Sequence, residues 1–151
     1  MVAREPEPLL GTSHFRVTIG KRELGFCEVS RLSSVTDLEA SPDAREHRFE
    51  TVTLRRALTR SSELFDWRRK VLAGSADRRP VTIQQLDASA GAVANTWRLE
   101  GAWPCRWSGP AFDARQSDIA YEELELAYDD IVWQAEGSRP GSTSHPRTQG
   151  D

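Results

Sequence analysis

Apolar and polar positions alternate with period two along most of the chain, and one stretch switches to helical spacing. Residues 14–19 set Phe15, Val17 and Ile19 against His14, Arg16 and Thr18, the pattern of a half-buried strand. Residues 20–23 form a tight connection into a second strand over 24–34, where Phe26 competes with Cys27 and Val29 for the core face and leaves the register open. Residues 35–47 are polar, with Ser41-Pro42-Asp43 as a turn signal. A third strand over 48–58 carries Phe49, Val52 and Leu54 with a bulge between them. A fourth over 81–86 turns through the small residues 87–91 onto a return strand over 93–103. There Val93, Asn95, Trp97 and Leu99 oppose Ala94, Thr96, Arg98 and Glu100. Pro104 and Pro110 then bracket a corner expected to leave the sheet, because proline has no N–H for a ladder. A last long strand over 117–128 puts Ala120, Leu124, Leu126 and Tyr128 on one face and Glu123 and Glu125 on the other. Trp97 and Leu124 are therefore expected in the core.

The helical stretch runs over about residues 62–73. Ser61 or Ser62 can cap the first turn, Glu63 and Asp66 suit its positive end, and Arg68, Arg69 and Lys70 suit its negative end. Gly74 stands where a left-handed residue would stop it. Leu64, Trp67 and Val71 form the buried stripe, with Phe65 and Leu72 beside it. The basic triplet reads as a solvated helix end rather than a nucleic-acid patch. The fold class that follows is mainly β: an antiparallel barrel or sandwich with one flanking helix.

Composition narrows the function classes. The chain has 151 residues, one domain's worth, and a formal net charge of −3, which gives no reason for non-specific nucleic-acid binding. No apolar run reaches the ~20 residues of a membrane span, and no signal peptide is evident. Cys27 and Cys105 lie far apart, outside metal-ligand spacing, and read as free buried thiols of a reducing cytoplasm. Residues 1–8 read as a loose lead-in, 9–134 as the folded domain, and 135–151 as a disordered tail of Gly, Ser, Pro, Thr and charge.

Catalytic chemistry finds no support. Glu122, Glu123 and Glu125, with Asp129 and Asp130, cluster in sequence, but Glu123 and Glu125 share one strand face and cannot oppose each other across a substrate; a solvated face or a channel wall fits better. His14, His47 and His145 are scattered, and no phosphate-binding glycine loop is present. Trp67, Trp97, Trp103 and Trp107 fit packing better than a sugar-binding platform. No catalytic, cofactor or metal residue is expected.

Four segments, in order, resemble the tube proteins of contractile phage tails and of related extracellular contractile injection systems. They are Phe15-Arg16-Val17 with Gly25-Phe26-Cys27-Glu28-Val29-Ser30; Val52-Thr53-Leu54-Arg55-Arg56 followed by Glu63-Leu64-Phe65-Asp66-Trp67-Arg68; Ala102-Trp103-Pro104 with Trp107-Ser108-Gly109-Pro110; and Glu122-Glu123-Leu124-Glu125-Leu126-Ala127. The motif residues are Glu63, Leu64, Trp67, Arg68, Trp103, Pro104, Trp107, Gly109 and Pro110. The resemblance, which covers about residues 9–134, implies a structural, non-enzymatic virion or injection-particle component made in the cytoplasm. Its partners are copies of itself in a hexameric ring, with rings stacked into a hollow tube, together with sheath and baseplate proteins and a cargo in the lumen. It implies neither a membrane anchor nor specific nucleic-acid binding. Thr96, Arg98 and Glu100 are the candidates for a lumen-facing row.

The family's ring-stacking loop maps to Ala40, Ser41, Pro42, Asp43, Ala44, Arg45, Glu46, His47 and Arg48, which here are shorter than usual and lack the family's glycine-rich turn. That departure admits a tube-initiating or baseplate-proximal paralogue. A monomeric β-barrel binding module, with Trp103 and Trp107 at its site, is the reading of a different class.

Overall fold

The computed structural model describes residues 9–36, 38, 47–89 and 91–136. Strands β1 (Phe15–Ile19), β2 (Arg22–Leu24), β3 (Glu28–Val29), β4 (Ser34–Thr36), β5 (His47–Phe49) and β6 (Val52–Ala57) precede helix α1 (Glu63–Leu72). Strands β7 (Arg79–Leu86), β8 (Val93–Ser108), β9 (Tyr121–Ala127) and β10 (Asp130–Ala135) follow. The strand order is β2-β1-β7-β8-β9-β6-β3, all antiparallel, with β10 also on β8 and β4 paired to β5.

One long strand makes this order into two layers. The first part of β8 pairs with β7 and β10, and its second part, from Trp103 on, pairs with β9. Between them Gly101 sits at φ +64°, a conformation that costs glycine nothing and lets the strand turn from one layer into the other. The first layer is therefore β2-β1-β7-β8-β10 and the second β8-β9-β6-β3. Their facing side chains form one core: Val17, Ile19, Val81, Ile83 and Leu99 from the first, Val52, Leu54, Leu124 and Leu126 from the second. Strands β2 and β3 do not pair, so the result is an open sandwich rather than a closed barrel.

The period-two pattern located most of this core. Its disagreements with the structure are local and have local causes. The second expected strand breaks into β2, β3 and β4, and the third breaks between β5 and β6 at the expected bulge. Pro104 does not turn a corner. It lies inside β8, fully buried, opposite Leu126, beside a register shift between Pro104 and Arg106 where a missing N–H is tolerated. The last strand starts at Tyr121 rather than residue 117, and β10 follows it directly. Ala135 ends β10, and the Glu136 N–H bonds the Ala94 carbonyl at 2.9 Å, so ordered pairing reaches the start of the stretch read as tail. Residues 1–8, 40–46 and 137–151 lie outside the described residues.

Leu124 is fully buried, but Trp97 is only half-buried and merely borders the core. Both thiols are free, yet Cys27 is exposed rather than buried, with its Sγ–H to the Arg55 carbonyl. Cys105 is half-buried, and burial together with the Glu125 carboxylate pushes its thiol pKa up.

Candidate functional site

Three features bear on function: a plug at one end of the sandwich, a polar outer face, and free edges beside an open end.

The plug gathers most of the motif residues. Helix α1 packs on β8, burying Leu64 and Trp67. The Trp67 indole N–H reaches the Asp77 carbonyl at 2.8 Å, and Arg79 stacks over its ring at 4.7 Å. Arg79 in turn grips Asp77 through two hydrogen bonds of 2.8 and 2.9 Å, which hold the Asp77 carboxyl below its usual range. Arg68 donates to the Pro104 carbonyl at 3.1 Å. The Phe65 ring meets Trp107 edge-on at 4.9 Å, and Gly109 lies so close to Trp107 that a Cβ would stand 2.8 Å from its ring. Trp103 is half-buried with Arg78 6.0 Å from its ring, and Pro110 lies in the loop after β8.

Glu63 joins the helix to both layers. It accepts from Arg22 at the β2 edge at 3.1 Å and from Arg56 of β6, also at 3.1 Å. Arg56 also holds Glu122 of β9 at 3.1 Å, and both of these residues are buried. Glu122 thus leaves the acidic cluster read from sequence: it shares the core face of β9 with Leu124 and Leu126. Parity was the overlooked signal, since Arg56 follows Val52 and Leu54 as Glu122 precedes Leu124 and Leu126. Glu123 and Glu125 face outward against Arg55 (3.7 Å) and Thr51 (2.6 Å), a screened surface arrangement and not an acid–base pair. Among the described residues no group of His, Cys, Asp and Glu could hold a metal, and no helix is long and apolar enough to cross a membrane.

The polar face is the outside of the first layer. Its register aligns Glu23, Thr18, Thr82, Arg98 and Val132 in one row and Arg16, Gln84, Thr96 and Gln134 in the next. Thr96, Arg98 and Glu100, expected together from alternation, do lie together here. Two ion pairs lie on it, Arg98 to Glu100 at 2.8 Å and Arg16 to Glu23 at 3.2 Å, and Asp130 stands opposite Glu100.

Among the described residues this layer ends in two strands with one neighbour each, β2 and β10. Strand β10 was missed in the sequence, although Ile131-Val132-Trp133 is a short apolar run able to signal it. Trp133 stacks on Trp97 at 6.0 Å between ring centres and donates to the Asn95 side chain at 2.9 Å, yet stays 63% exposed. Beside that pair, among the described residues, the end of the sandwich away from α1 is open. A cleft of about 360 Å³ there is lined by Phe15, Val29, Leu32, Ile83 and Trp97, with Thr12, His14, Ser30 and Gln85 among its polar lining residues. Of the candidate stacking loop, His47 and Arg48 fall in β5.

Comparison with known proteins gives a consistent picture. The model of the family described as T4-like virus tail tube protein gp19 matches residues 11–132. No curated protein matches the sequence. Among solved structures, a chain of the extended sheath–tube complex of the extracellular contractile injection system PVC is 25% identical, with a TM-score of 0.69 over 85% of this chain and 93% of that one. A chain from the sheath/tube terminator of PVC is also 25% identical, with a TM-score of 0.66 over 89% and 100%. Hcp1 from Flavobacterium johnsoniae shares the fold at 16% identity, with a TM-score of 0.62 over 80% and 94%.

Proposed function

We propose that this chain, which belongs to the T4-like virus tail tube protein family, is the subunit of an inner tube in which six copies close into a ring around a lumen. The observation that carries the reading is the first layer, polar on its outer face and, among the described residues, unpaired at both edges, β2 and β10. Open edges are an aggregation hazard for a monomer and an interface for a ring, where strand addition between identical copies joins the layers into one wall. A head-to-tail contact of this kind closes when its rotation closes. Arg98, Thr96 and Glu100 then line the lumen, while the second layer and α1 face outward.

Rings stack, and a sheath around the tube drives it forward on contraction; sheath and baseplate proteins are the partners, and the lumen carries the cargo. The role is structural and not enzymatic, in a phage tail or injection particle assembled from subunits made in the cytoplasm. The likeness to a sheath/tube terminator supports a second reading, a subunit at one end of the tube, in keeping with the short segment 40–48.

Negative-stain microscopy with hydrodynamic mass across a concentration series tests both. Six-fold rings that grow into filaments support the tube subunit, and rings that stay single or pair once support the end subunit. A strict monomer at high micromolar concentration overturns both and leaves a binding module.

A further inference from the structure

Resting on that ring reading, we infer that Glu63 positions the β2 edge for the neighbouring copy, holding the strand through Arg22, and that ring closure depends on this brace. Strand β2 has three residues, and its ladder to β1 has three pairs, Val17 with Leu24, Thr18 with Glu23 and Ile19 with Arg22. Among the described residues nothing pairs with its outer side. A strand so short gains little from its ladder alone, and it opens locally at a cost well below that of unfolding the domain. Strand addition requires an edge already extended when the neighbour arrives.

Both ends of β2 are anchored to one charge cluster. Register puts Arg22 on the core face, opposite Ile19, and its guanidinium reaches Glu63 Oε2 at 3.1 Å. Just past the other end of the strand, the Phe26 ring lies 5.8 Å from the Arg56 guanidinium. Arg56 in turn holds Glu63 Oε1 and Glu122, each at 3.1 Å. Glu63 therefore gives one carboxylate oxygen to each arginine, and the buried Arg56 fixes the carboxylate on which Arg22 rests. On the opposite face of β2, Glu23 meets Arg16 at 3.2 Å, but that pair only links β2 to β1, its existing ladder partner. Glu63 ties the strand to the helix and, through Arg56, to the second layer.

A copy whose β2 is docked only part of the time has its affinity at every seam reduced by the docked fraction. Loss of the brace therefore acts on assembly more than on melting, which reads global unfolding. A braced edge has already lost the freedom that joining a neighbour would otherwise take from it.

Three variants of the full chain, Arg22→Gln, Glu63→Gln and the two together, test this. Arg22→Gln should leave monomer melting nearly unchanged, since the Arg22 side chain is 72% exposed and an exposed ion pair adds little to the fold. It should speed amide hydrogen exchange over residues 22–24 and raise the concentration at the midpoint of ring assembly about three- to tenfold. Glu63→Gln should show at least that shift, read at a temperature where the protein is fully folded, and adding Arg22→Gln to it should bring no further shift. Rings that form at the wild-type concentration in Arg22→Gln, or unchanged exchange at β2, overturn the inference. So does a further loss in the double variant, which would mean that Arg22 touches the neighbour directly. Each of these results leaves the ring reading intact, whereas a wild-type protein that forms no rings overturns both.

Discussion

The carboxylate of Asp129 occupies the space into which a Cβ on residue 101 would project, so Gly101 and Asp129 interlock at the bend that makes one sheet into two layers. Arg78 closes the arrangement, donating to both Asp129 oxygens at 2.9 and 3.0 Å and to the Gly101 carbonyl at 3.3 Å. The Asp129 N–H adds a bond to the Glu100 carbonyl at 2.8 Å. Gly101→Ala should destabilise the fold by about 1–3 kcal/mol, from positive φ and the displaced carboxylate together. Adding Asp129→Ala should restore the steric part and leave the backbone part, a non-additivity that urea unfolding of the four proteins of the cycle reads directly.

The buried Arg56 joins Glu122 and Glu63 and leaves its Nη2 without a partner. Arg56→Met alone strands two carboxylates, one of them fully enclosed, and should cost about 3–5 kcal/mol. Arg56→Met with Glu122→Leu should be less damaging than the single change, because both ends of the buried pair become apolar. Denaturant midpoints check the order; a double variant worse than Arg56→Met would contradict it.

Leu124→Ala should cost about 2–5 kcal/mol, since the side chain is enclosed by both layers. Trp97→Ala should cost less than the sequence pattern alone implies, because the ring is half-buried and packs on the exposed Trp133. Equal losses of stability at the two positions would show that the open end is closed in solution.

Asp77 has its pKa lowered mainly by the hydrogen bonds from Arg79. A depressed carboxylate pKa stabilises the fold above the unfolded-state value and loses that effect as pH falls through the folded value. Wild type should therefore exceed Asp77→Asn in stability at pH 7, and the gap should narrow below about pH 4. Melting temperatures of the two proteins from pH 7 to pH 3 follow it.

Shortening the chain separates strand from remainder. Ending it after Glu136 keeps every β10 pair, and residues 137–151 hold no large apolar side chain, so melting should be unchanged. Ending it after Asp129 removes Ile131 from Leu99 and bares one side of β8, and should give an aggregating protein.

Local rules were enough for the elements that local rules govern. The helix spacing, the acidic and basic ends and Gly74 (φ +92°) made α1 legible to within a residue at each end, although the Ser62 hydroxyl donates to Asp66 at 2.9 Å instead of capping the backbone. Alternation located Val17, Ile19, Leu54, Leu99, Leu124 and Leu126 in the core, and the polar row Thr96, Arg98 and Glu100 opposite it. The ordered segments were sufficient to suggest the tube family. Three things were decided only by tertiary structure. Pro104 could stay in β8 because a register shift across β9 removes the need for its N–H; Glu122 could be buried because Arg56 arrives from a strand 66 residues away in sequence; and Trp97 could remain half-buried because it lines a cleft that no described element of its own chain covers. Each depends on a partner distant in sequence, and a periodic pattern records which face a side chain takes but not what waits on that face.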